Sequence, residues 1–133
     1  MELNQSNLDQ LISELQILMC LQDWRIRAEI VTPAEMKLYD DNEDYLATVN
    51  KHRAHMSALI RVSNDGNYDF SDDWVQSVIH EMVHILVDDY IRWVEYKVGP
   101  DMDDDYPNTL KEKMVDTIAR SIYNAWNVDF VDN

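Results

Sequence analysis

The segment from Val75 to Val94 constrains this chain more than any other. Val75, Val78, Ile79, Met82, Val83, Ile85, Leu86, Val87, Ile91 and Val94 recur within it, and at 3.6 residues per turn they project around nearly the whole circumference of a helix. A helix that is apolar on all sides belongs in the middle of its domain. The same segment contains "VIHEMVHILVDDY", with His80, Glu81 and His84 set among aliphatic neighbours. Buried polar groups are costly unless each finds a partner, so the fold has to bring partners to these three.

Around that helix the pattern predicts an α+β domain. Leu8, Leu11, Ile12, Leu15, Leu18 and Met19 are spaced for an amphipathic helix within Leu3 to Leu21, and "WRIRAEIV" alternates as a half-buried strand. Thr32, Pro33 and Glu35 form the start of a short helix that ends before the acidic loop "DDNED". "YLATVNKH" and "MSALIRVS" read as two further strands, and "NDGN" as a turn. The central helix is expected from Ser71, an N-cap followed by Asp72 and Asp73, to about Lys97, where Gly99 and Pro100 stop it. A last helix is expected from about Leu110 to Trp126. This order predicts helices on one side of a small three-stranded, mostly antiparallel sheet, in a single domain spanning residues 1–133.

Composition narrows the function classes. The chain has 133 residues and a net charge of −15, which opposes binding to phosphate backbones or anionic lipid and favours basic partners. No apolar run reaches the roughly 18 residues of a membrane span, and "MELNQSNLDQL" lacks the features of a signal peptide. The expectation is a protein of the cytoplasm without nucleic-acid or membrane partners; oligomeric state is not legible. Cys20, alone in "LMCLQ", is expected to pack as a small core residue.

His80 and His84 are four apart, so on a helix they share a face about 6 Å apart along the axis, and both imidazoles can reach one ion. Zn2+ takes neutral imidazole nitrogens at about 2 Å, and two successive turns supply two of its ligands. Glu81 can face the coordination sphere without joining it, and take a proton from water activated by the metal. Asp88 continues the same face but lies about 12 Å from His80 along the axis, too far to share the ion with both histidines.

A third ligand has to come from elsewhere. The acids of the loop at Asp101, Asp103, Asp104 and Asp105 are candidates, as are Glu112 and Asp116 on the last helix. On a helical wheel Met114, Val115, Ile118, Ala119, Ile122, Ala125 and Trp126 make the buried arc, while Lys113, Thr117, Arg120 and Asn124 make the wet one. Glu112, Asp116 and Tyr123 fall on the border, where a side chain can enter a cleft. Glu112 then serves as a ligand, or else pairs with Thr109 in a capping box. Asp116 either accepts the far N–H of a ligand histidine or remains a carboxylate that is solvated or paired with Arg120.

His80-Glu81-x-x-His84 followed by Glu112-x-x-x-Asp116 resembles the zincin metallopeptidases of the gluzincin branch. The compact size is similar to the minigluzincins and to small metallopeptidases encoded by phages and prophages. The resemblance implies a zincin-like fold and a zinc peptidase with His80, His84 and Glu112 as metal ligands. Glu81 would then be the general base and acid, Asp116 would stand behind a histidine, and a sheet edge would pair with an extended substrate. Lys111 and Lys113 stand where the family often has Asn and Ser or Gly, and no oxyanion donor matches. Tyr123, Tyr106, His52 and His55 are candidates for that role, and Tyr123 also for lining the cleft. Because "YLATVNKH" is the more polar strand, it is expected at the exposed edge.

Two functions lead on the sequence, ahead of an acidic decoy that imitates nucleic acid charge, which "DMDDDYPN" and "DDNEDY" suggest. One is hydrolysis of a polypeptide substrate, with basic segments favoured by the net charge. The other is a catalytically inactive, zinc-stabilised acidic module that binds a basic protein; the presence of Glu81 argues against it, because a purely structural site needs no base.

Overall fold

A computed structural model describes residues 2–39, 46–64, 73–98 and 105–131. The expected loop "DDNED", the turn after Asn64, the cap at Ser71 with Asp72, the stop at Gly99 and Pro100, and the acids Asp101, Asp103 and Asp104 lie outside them. The elements run α1 (Gln5–Leu18), β1 (Arg25–Val31), α2 (Pro33–Tyr39), β2 (Ala47–His52), a 3-10 turn (Arg53–His55), β3 (Ser57–Ser63), α3 (Asp73–Val98) and α4 (Asp105–Val131). This is an α+β arrangement of four helices and a three-stranded sheet.

The sheet is mixed, which corrects the expectation of a mostly antiparallel one. Its order is β1-β3-β2. β2 pairs antiparallel with β3, from Ala47 opposite Val62 to His52 opposite Ser57, as the short turn between them dictates. β1 pairs parallel with β3, from Arg25 opposite Ser57 to Val31 opposite Ser63. The chain leaves β1 through α2 and returns in β2, so β3 slots between two strands of opposite direction. β2 is therefore an edge of the sheet, as its polar character predicts.

One core cluster joins these elements. Leu8, Leu11, Ile12 and Leu15 of α1, Ala58, Ile60 and Val62 of β3, and Val75, Val78, Ile79, Met82 and Val83 of α3 are all buried in it. Val115 and Ala119 of α4 complete it. Among the described side chains of α3, Val75, Val78, Ile79, Met82, Val83, Ile85 and Val87 are buried, as the apolar pattern requires, while Leu86 is exposed. On α4 the predicted arc packs inward except Ala125, which is exposed. Among the described residues no helix is long and apolar enough to cross a membrane.

Local signals explain several boundaries. Asn4 caps α1 by accepting from the Asn7 N–H at 2.8 Å. Thr32 and Glu35 form the expected capping box of α2: the Glu35 N–H donates to Thr32 Oγ1 at 3.2 Å, and the Thr32 N–H to Glu35 Oε1 at 3.4 Å. α4 begins five residues before Leu110, its expected start, because Pro107 in a first helical turn gives up only an N–H with no intrahelical acceptor.

Cys20 is exposed, contrary to its expected place in the core. It follows the C-cap Met19 with a left-handed φ of 57°. The Leu21 N–H donates to Gln16 O at 2.8 Å and the Cys20 N–H to Ile17 O at 3.3 Å, the two bonds of a Schellman motif. The chain reverses at Cys20, and Leu21 takes the core position instead.

Candidate metal centre

α3 and α4 pack against each other, and the polar side chains of their contact meet beside β2. His80 Nε2 and His84 Nε2 lie 3.2 Å apart, with the rings nearly edge to face. Glu112 from α4 straddles the pair: Oε2 is 3.5 Å from His80 Nε2 and Oε1 is 3.5 Å from His84 Nε2. Among the described residues, His80, His84 and Glu112 stand out as a set whose donor atoms all lie within 4.8 Å of one another.

The outer nitrogens set the tautomer that each ring takes when neutral. His80 Nδ1 lies 2.9 Å from Asp116 Oδ1, and His84 Nδ1 lies 2.9 Å from Asp88 Oδ1. An ionised carboxylate only accepts, so each Nδ1 carries a hydrogen, and a ring in its neutral form leaves Nε2 as a bare lone pair. With both rings in that form, two lone pairs and a carboxylate converge without a donor among them. Acceptors crowded in this way repel one another until a cation enters. A proton on one ring relieves one contact; a metal ion relieves all three.

The spacing fits such an ion. Ligand bonds of 2.0–2.1 Å at tetrahedral angles separate neighbouring donors by about 3.3 Å, against the 3.2 Å between the imidazole nitrogens and 3.5 Å from each to Glu112. The donor set, two imidazoles and one carboxylate, is of the borderline kind that suits zinc.

Asp88 is itself tied down. Lys51 of β2 donates from Nζ to Asp88 Oδ2, so a chain of contacts runs from the sheet edge through Asp88 to His84. Burial works to raise the Asp88 pKa, yet the hydrogen bonds from His84 and Lys51, reinforced by their charges, outweigh it and hold the carboxyl down at about 2. For His84, burial disfavours the charged ring, but the hydrogen bond to Asp88 and the nearby carboxylates prevail and raise its pKa.

Glu81 is half-buried and lines both clefts that adjoin the histidines. Burial, joined by the negative charges of Glu112 and Asp88, raises its pKa from 4.5 to about 7 against the attraction of His84 and Lys51. A carboxyl at that value exchanges protons readily near neutrality. The smaller cleft, about 180 Å³, is bounded by Ala47, Thr48 and Val49 of β2 and by Glu81 and the three metal-site residues. The larger, about 440 Å³, runs from Leu46 and Gln76 past Glu81 to Arg120 and Tyr123.

The structure therefore brings together His80, Glu81, His84, Glu112 and Asp116, and puts Tyr123 on the wall of the larger cleft. Thr109 lies inside α4, four residues past its first residue, so the capping-box alternative for Glu112 does not hold. His52 and His55 line a different depression, and the side chain of Tyr106 is outside the described residues. Two partners escape the sequence reading. Asp88 stands four residues after His84, the spacing of a helical hydrogen bond, and that signal was available. Lys51 had none, because its contact depends on how β2 packs on α3. No protein-family model, no curated protein and no solved structure matches this chain.

Proposed function

We propose that this protein is a zinc-dependent peptidase of zincin-like architecture, with His80, His84 and Glu112 as the metal ligands. The observation that carries the reading is the convergence of two imidazole Nε2 atoms and a carboxylate at tetrahedral spacing, each imidazole held from behind by its own carboxylate. A zinc ion in this set would polarise a substrate carbonyl and make water acidic enough to ionise near neutral pH.

The chain's own residues do the rest. Glu81 accepts a proton from the attacking water and passes it to the leaving amine, a shuttle that needs a pKa close to the working pH. Asp116 and Asp88 hold the imidazoles in the tautomer that keeps Nε2 free. β2 offers an unpaired edge beside the small cleft, along which an extended polypeptide can add as a further strand. Tyr123 lines the adjoining cleft, within reach of whatever fills it.

The test joins metal analysis to a peptide-library digest by wild type and Glu81→Gln. One zinc per chain, with cuts by wild type that the variant does not make, supports the reading. Stoichiometric zinc without any such cut turns the protein into a zinc-stabilised binding module instead.

A further inference from the structure

The two histidines of the metal centre are not held alike. The side chain of Asp116, behind His80, is 51% exposed, whereas that of Asp88, behind His84, is 15% exposed. Asp88 also uses both of its oxygens: Oδ1 lies 2.9 Å from His84 Nδ1, and Oδ2 accepts from Lys51 Nζ. Among the described residues Asp116 has no second contact of this kind.

The second contact matters because of the torsion it fixes. The last torsion of an aspartate is broad and roughly two-fold, so a carboxylate bonded through one oxygen can swivel away from its partner. A cation on the other oxygen sets the plane of the carboxylate, and with it the direction in which the imidazole is held. That cation has to be steady itself. The Lys51 side chain is 16% exposed, and its backbone belongs to β2, paired opposite Ala58 of β3. Ala47, Val49 and Lys51 alternate along β2 and so share one face of the sheet; Ala47 and Val49 border the small cleft with His80, Glu81 and His84. One face of the edge strand thus walls the cleft and anchors the support of a ligand.

Fastening β2 to α3 does not by itself require this pair. Ions taken out of water gain little net stability over packed apolar side chains of similar size, whereas an apolar residue at position 51 would leave the Asp88 carboxylate free to turn.

We propose that Lys51 is a positioning residue of the metal centre, which acts from the edge strand through Asp88 to fix the His84 imidazole for the ion. The proposal rests on the ligand set His80, His84 and Glu112 proposed above and is independent of turnover.

Lys51→Met keeps an apolar stem and removes the charge; Lys51→Gln is a second variant should the first not fold. Zinc affinity is read by competition with a chelator, and the ring nitrogens of His80 and His84 in the metal-free protein by their NMR shifts. The account predicts about tenfold weaker zinc binding, with altered His84 signals and unchanged His80 signals. Loss of a positive charge would alone favour a dication, so weaker binding reports lost positioning. Lys51→Met/Asp88→Ala should bind zinc as weakly as Asp88→Ala, because residues that act as one unit are not additive. Unchanged affinity and His84 signals in a folded variant, even one that is less stable, make the pair a fastening only and overturn the proposal. Losses that add in the double variant overturn it too. If wild type binds no zinc, the ligand set fails, and the His84 signals alone then decide whether Lys51 positions the ring.

Discussion

Replacing Glu81 by Gln should change how the metal-free protein responds to pH, and the size of the change follows from one carboxyl. In the folded, metal-free chain Glu81 holds its proton up to about pH 7, whereas its ordinary value is 4.5. Between these values the folded state binds a proton that the unfolded state has released, so stability falls as pH rises through the window and the loss is complete above it. At 1.36 kcal/mol per pKa unit the loss is about 3 kcal/mol. Gln cannot ionise, so the variant escapes this loss. His84, whose raised pKa contributes stability that is likewise lost as pH rises, is present in both proteins and largely cancels from the comparison. Asp88, held at about 2, contributes stability that is lost only as pH falls below its ordinary 3.8, outside the window. Urea titrations of both metal-free proteins at pH 5 and pH 8 measure the effect. The two should be nearly alike at pH 5, and Glu81→Gln should be the more stable by about 3 kcal/mol at pH 8, a midpoint shift of about 2 M at ordinary urea slopes. A difference that is flat with pH, or a variant less stable at pH 8, would refute the burial argument for Glu81. Saturating zinc should shrink the difference, because a nearby dication favours the ionised carboxylate.

Other substitutions test separate parts of the account. Asp116→Ala should weaken zinc binding about 10- to 100-fold by freeing the His80 ring, measured by competition with a chelator. Asp88→Ala should do the same through His84, and histidine nitrogen shifts in the metal-free protein should report loss of the Nδ1–H tautomer. Cys20→Gly should raise stability by about 0.5–1 kcal/mol, since a left-handed φ suits glycine, and thermal unfolding reads it. Thr32→Ala should cost about 1 kcal/mol through the lost cap of α2.

How much of this was legible depended on the range of the interaction. His80, His84 and Glu81 follow from helical spacing, and Asp116 from its place on the border of an amphipathic wheel one turn beyond Glu112. These are short-range rules that packing has little freedom to override. Asp88 obeys the same rule from His84: too far along the axis to share the ion with both histidines, it is at the right spacing to hold the outer nitrogen of His84. Lys51 comes from a strand 37 positions away, and nothing in a local pattern says which strand end a helix will meet. The β2–β3 pair was readable because four residues separate the strands. The parallel partner of β1 was not, since alternation marks a strand's faces and leaves its neighbours open. Cys20 misled because an apolar neighbourhood does not distinguish a buried position from the reversal point just after a helix. α4 starts five residues earlier than expected, since a proline in the first turn of a helix costs it no intrahelical bond.

The most direct measurement is anomalous diffraction at the zinc edge from crystals grown with the metal. The account predicts one strong site per chain, about 2 Å from both His80 Nε2 and His84 Nε2 and from an oxygen of Glu112, with Asp116 and Asp88 still on the outer nitrogens. Zinc bound elsewhere, or the two rings turned away from each other around an empty space, would contradict it.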